Sequence, residues 1–165
     1  MKAETIAKYF LNKDTDNSLF NDELISKNGI DFYNGNARIN KYLHIAQNTY
    51  IAQYGKLLFD DDLYAFANGA IVKSVMEGYQ RIKATKSDIK EVIPDNIKLF
   101  LDKIYIMLKN ASLDELIGIS HEDDEWKNKR ASYKTYSEQK MDSLNNIEIY
   151  KKQYADALKI MDAIC

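Results

Sequence analysis

The chain has 165 residues and a mass of 19.1 kDa, about one domain's worth, enough to bury roughly 70% of its unfolded surface. With 45% hydrophobic and 29% charged residues it reads neither as a disordered chain nor as a membrane protein. Lys+Arg of 23 against Asp+Glu of 25, evenly balanced on either side of Gln80, leaves a net charge of −2 and argues against nucleic acid as the main partner.

One Pro and six Gly favour a few long helices over many strands. The single cysteine, Cys165, leaves no intrachain disulfide and no thiolate metal cluster to expect. Glu4 stands where a signal peptide would begin its apolar run, and no membrane-length apolar window follows, so the expected location is cytoplasmic.

Ile6, Ala7, Tyr9 and Phe10 share one side of a first helix over Ala3 to Leu11, which the polar run from Asn12 to Asn17 ends. Between Ser18 and Asn36, Leu19, Leu24 and Ile25 suggest a short helix closed by Asn28-Gly29. Asn34-Gly35 is a turn signal that would close a small hairpin from Ile30 to Ile39, although Ile39 fits the next helix better. Arg38 to Tyr54 is apolar or aromatic on nearly every side, the pattern of a central, buried helix, and Gly55 stops it.

Leu63 to Phe66 reads as extended and Asn68-Gly69 as a turn, with Ile71, Val72, Val75, Met76 and Tyr79 marking a short helix after it. Beyond Pro94, Ile97, Phe100, Leu101, Ile104, Tyr105 and Leu108 keep helical spacing. Ser112-Leu113-Asp114-Glu115 is a capping box opening a helix that ends near Gly118. A last helix is expected from about Asp142 to Ile164, with Leu144, Ile147, Tyr154, Leu158 and Met161 on one stripe. The expected fold is therefore a mainly α, compact single-domain helical bundle spanning residues 1–165, with one short β-hairpin as an option.

Few residues ask for chemistry. His44 has no carboxylate three or four positions away, and reads as a structural histidine. His121 sits in Ser120-His121-Glu122-Asp123-Asp124-Glu125-Trp126, which reads first as an acidic helix start complementing the macrodipole. A metal-dependent enzyme using His121, Glu122, Asp123 and the Asp60-Asp61-Asp62 run is the rival reading, but no second His or Cys closes a transition-metal site. No phosphate-binding loop and no Gly-x-Ser-x-Gly elbow is present. No catalytic residue, cofactor or metal is expected. The 12 tyrosines suit a protein interface, or equally an AT-rich coding bias.

Four stretches in order carry a resemblance: Ile6 to Leu11; Ile39 to Gln47; Leu57 to Asp60 continuing through Ala65 to Val72; and Leu113 to Leu116 with Ser120-His121-Glu122 and Trp126-Lys127. Together, spanning about residues 4–130, they resemble the Panacea domain family of SocA-like antitoxins and phage-associated GepA-like proteins. Ala70 departs from the proline of the family pattern, and segment 18–36 is longer than the usual connection. The resemblance implies a helical, non-catalytic domain from a prophage or mobile element that neutralises a toxin by binding it. A phage-encoded inhibitor of a host defence protein, such as a nuclease, is an alternative of the same kind. A DNA-binding repressor is a further rival, one that would need its basic residues gathered on one face. The expected partner surface comprises Phe32, Tyr33, Phe59, Tyr64, His121 and Trp126.

Overall fold

A computed structural model describes residues 1–131 and 139–164. In chain order its elements are α1 (Ala3–Lys13), β1 (Leu24–Lys27), β2 (Ile30–Tyr33), α2 (Asn34–Tyr54), β3 (Leu63–Phe66), β4 (Gly69–Val72), α3 (Lys73–Ala84), α4 (Asp95–Leu108), α5 (Leu113–His121) and α6 (Asp124–Ala131). A 3-10 turn (Ser143–Asn146) then leads into α7 (Ile147–Gln153) and α8 (Ala155–Asp162).

The axis of the fold is α2, and α1, α3, α4, α5, α7, α8, β2 and β4 all pack on it. Its residues from Arg38 to Ala52 are buried, the polar ones included. Buried polar groups must be hydrogen-bonded to be tolerated. Here Asn40 accepts from the Val72 amide at 2.8 Å, and Gln47 accepts from the Leu58 amide at 2.8 Å while donating to the Phe59 carbonyl at 3.0 Å. The same helix thereby carries the core and fixes the loops that cross it. Around it, Tyr42 meets Phe10 and Phe20 edge-on, with ring centroids 5.5 and 5.2 Å apart.

The mainly helical architecture agrees with the sequence pattern, with three corrections. No helix forms between residues 18 and 33: β1 and β2 pair antiparallel, Lys27 opposite Ile30, across Asn28 and Gly29. Both turn residues have positive φ, 54° and 75°, as a two-residue hairpin requires. Asn34-Gly35 then opens α2 instead of turning the chain, because the Asn34 and Gly35 amides donate to the carbonyls of Glu23 and Asn21, each at 2.8 Å.

Secondly, Ile71 and Val72 belong to β4, which pairs with β3 in a second two-stranded sheet, Phe66 opposite Gly69. A buried apolar run of four residues cannot be told from a helix start by periodicity alone. Thirdly, the expected C-terminal helix is divided between the 3-10 turn, α7 and α8, and Leu144 is 40% exposed instead of lying on a core stripe. The bend at Tyr154 turns both Tyr150 and Tyr154 inward. Elsewhere Pro94 stands immediately before α4, and the Ser112–Glu115 capping box is formed.

Candidate partner-binding cleft

The two hairpins meet at their tips. Asn28 donates to the Asn68 side-chain oxygen at 2.7 Å, and Asn68 donates back to the Lys27 carbonyl at 3.3 Å. An ion pair from Lys27 to Asp114 ties β1 to α5. Between the hairpins and the first turns of α2 lies a solvent-open, largely apolar cleft of about 120 Å³, walled by Ile30, Phe32, Phe66, Ile71, Met76 and Ile117.

Lys41, on α2, lines the same cleft and is 2% exposed. Its ammonium donates to the Ala70 carbonyl at 2.8 Å. Loss of hydration holds this amine down to about 7 from its ordinary 10.5. Directly above it runs Gly69, with φ +107°. A Cβ there would stand 2.6 Å from Ser120 Oγ and 2.8 Å from Lys41 Cε, so β4 approaches this closely only because position 69 has no side chain.

Behind Gly69 a chain of buried hydrogen bonds crosses the core. The Ala70 amide donates to Ser120 Oγ at 2.8 Å, and Ser120 Oγ meets His44 Nδ1 at 2.8 Å. His44 Nε2 stands 2.7 Å from Asp123 Oδ2. Asp123 also accepts from Asn48 at 2.8 Å and from the Tyr150 hydroxyl at 2.9 Å, and Asn48 donates to the Tyr154 hydroxyl at 3.1 Å. The tautomer that suits both neighbours carries its hydrogen on Nε2, so that His44 donates to the carboxylate and accepts from Ser120.

Burial would raise the Asp123 carboxyl, but the hydrogen bonds from His44, Asn48 and Tyr150 outweigh it and hold the group below the usual range. For Tyr150, burial and the Asp123 charge both push the hydroxyl upward. Ser120, His44 and Asp123 have the residue types of a hydrolytic triad, yet all three are 0% exposed, so this arrangement presents no nucleophile to a substrate. It clamps β4 to α2 and to α7.

Of the residues expected at the partner surface, Phe32 lines the cleft and Tyr33 beside it is 47% exposed. His121 and Trp126 do not line the cleft but hold β3 and its turn. Their rings stack at 4.2 Å, Trp126 Nε1 donates to the Phe66 carbonyl at 2.8 Å, and His121 Nε2 bonds the Ala67 carbonyl at 3.1 Å. Burial and the Lys41 charge lower the His121 imidazole, the bond to Ala67 opposing them. Tyr64 lies away from the cleft on β3, in an isolated bridge to Lys140 and 5.8 Å below the Lys73 ammonium. Phe59 is 0% exposed and belongs to the core, since its backbone is held inward by Gln47.

The acidic runs do not gather into one site. Asp60 pairs with the Met1 amine at 3.0 Å, Asp61 accepts from the Ala3 amide and Ser74, and Asp62 pairs with Lys140 at 3.4 Å. Asp123 caps α6 through the Glu125 amide at 2.8 Å while facing His44, and His121 points instead to Ala67. Among the described residues no three of His, Cys, Asp or Glu are placed to hold a metal ion. Cys165 lies outside the described residues.

Comparison with family models matches residues 39–127 to the "Antitoxin SocA-like, Panacea domain". The chain belongs to this family. The matched stretch begins in α2 and ends in α6, so it holds Lys41, His44, Gly69, Ser120, Asp123 and Trp126 but not Phe32, Tyr150 or Tyr154. The resemblance noted at Ile6 to Leu11 falls outside it. Neither the comparison with curated proteins nor that with solved structures gives a match. Within this Panacea domain the Ala70 amide donates to Ser120, a bond that a proline at this position would have no N–H to make. Among the described residues no helix is long and apolar enough to cross a membrane.

Proposed function

We propose that this Panacea domain is a non-catalytic, antitoxin-type protein that neutralises a toxin by direct binding, seating part of it in the cleft between its hairpins. Family membership supports the antitoxin role. The observation that supports the location is the open cleft itself: it exposes Ile30 and part of Phe32 beside the half-exposed Tyr33, apolar and aromatic surface of the kind interfaces use. The other motif aromatics, His121 and Trp126, serve the same surface by holding the turn that forms its wall.

The test is growth rescue. The gene neighbouring this one, expressed alone, is expected to arrest growth, and co-expression of this domain to restore it. Phe32→Asp, on a part-exposed strand, is expected to fold and to lose rescue. A neighbour that is harmless alone, or a Phe32→Asp variant that rescues fully, would count against the proposal.

A further inference from the structure

The cleft has apolar walls and one ionisable lining residue, Lys41, on its floor. The amine carries three hydrogens when charged, and among the described residues its one hydrogen-bond acceptor is the Ala70 carbonyl. The side chain is 2% exposed, and the remaining N–H groups have no acceptor among the described residues. An apolar occupant would leave them buried without acceptors, a loss that commonly cancels the gain from apolar burial. A neutral amide is a weaker acceptor for an ammonium than a carboxylate is. The volume of about 120 Å³ admits one short side chain and not a helix.

We propose, resting on the antitoxin reading, that the cleft seats a glutamate side chain of the partner protein, its carboxylate on the Lys41 ammonium and its methylenes against Phe32, Ile71 and Met76. Charge complementarity selects the headgroup, and the walls select an aliphatic stem over a bare acidic loop. Gly69 keeps the floor open, since a side chain there would collide with the Lys41 stem.

Pentanoate, which reproduces a glutamate stem and carboxylate, is the probe. The protein is labelled with ¹³Cε-lysine and titrated with pentanoate and, separately, with pentanamide. The Lys41 resonance, assigned by its loss in Lys41→Met, is expected to shift saturably with pentanoate, and pentanamide to bind at least about tenfold more weakly. Phe32→Ala, which leaves Lys41 in place, is expected to weaken pentanoate by about threefold or more. A Lys41 resonance that does not move, or equal responses to acid and amide, overturns the proposal. The growth assay separates the two ideas. Rescue that survives in a folded Lys41→Met variant removes the glutamate seat and leaves the antitoxin reading standing, whereas failure of the unaltered protein to rescue removes the antitoxin reading itself.

Discussion

Raising the pH from 7 to 9.5 is expected to stabilise this fold, the opposite of what deprotonating a surface lysine would do. Folding lowers Lys41 from 10.5 to about 7, so between these values the unfolded chain binds a proton that the folded chain does not. The Lys41 contribution to stability therefore rises with pH through this window and is flat below it, where both states are protonated. Each pH unit is worth about 1.4 kcal/mol, which gives an upper bound of about 3 kcal/mol between pH 7 and 9.5.

The gain ends near pH 10, where unfolded tyrosines ionise. Folded Tyr42, Tyr79 and Tyr154 resist ionisation because burial raises each of them, Tyr42 to about 12. Urea titrations followed by far-UV circular dichroism, at half-unit pH steps, measure the profile. Lys41→Met keeps the stem volume and removes the titration, so the difference between the two proteins isolates Lys41 from His121 and every other group. Parallel profiles for the two proteins would show that the buried amine keeps its ordinary basicity, and would refute the reasoning.

Other substitutions test the scaffold. Gly69→Ala places a Cβ against Ser120 and Lys41 at a positive φ, and a loss of about 2–4 kcal/mol is expected in denaturant unfolding. Asp123→Asn leaves the shape but removes the charge that His44, Asn48 and Tyr150 converge on, with an expected loss of about 3 kcal/mol in the same assay. Trp126→Phe removes the bond to the Phe66 carbonyl and is expected to cost about 1 kcal/mol overall. Amide exchange should localise that loss to the β3–β4 turn. Ser112→Ala breaks the capping box and should lower stability by about 1 kcal/mol without affecting growth rescue.

Helices whose apolar positions recur on one face were legible from the sequence. The Ile97 to Leu108 pattern became α4, and the all-round apolar pattern after Arg38 became the buried axis α2. Short strands were harder: Leu24 to Tyr33 has neither strict alternation nor helical spacing, and its identity rests on the positive φ of Asn28 and Gly29. His44 has no carboxylate near it in sequence, and the one it contacts in the fold comes from position 123. The sequence signals that bear on it are Asn48 one turn along the same helix and the spacing of Ser120 and Asp123, and neither specifies that the two segments meet. Phe20 is flanked by polar residues that hide its burial, and Phe59, which the sequence places at the partner surface beside the Asp60–Asp62 run, is core. Phe20 is carried inward by a loop whose amides at 18, 19 and 20 all donate to Asp14. Lys41 carried no signal, because a lysine within a buried helix looks the same on paper as one that snorkels to solvent.

The polar chain that starts at Ala70 ends on Tyr150 and Tyr154, beyond the last residue of the family match, and the face of α2 opposite is covered by α1, before its first. The family-matched stretch is thus closed, in this chain, by residues on either side of it. A chimaera that moves residues 39–127 between relatives has to bring along a hydroxyl for the Asp123 carboxylate and an apolar helix to take the place of Ile6 and Phe10. In this chain the Tyr150 hydroxyl donates to the Asp123 carboxylate, so the effects of substitutions at positions 123 and 150 are expected to be coupled, not additive.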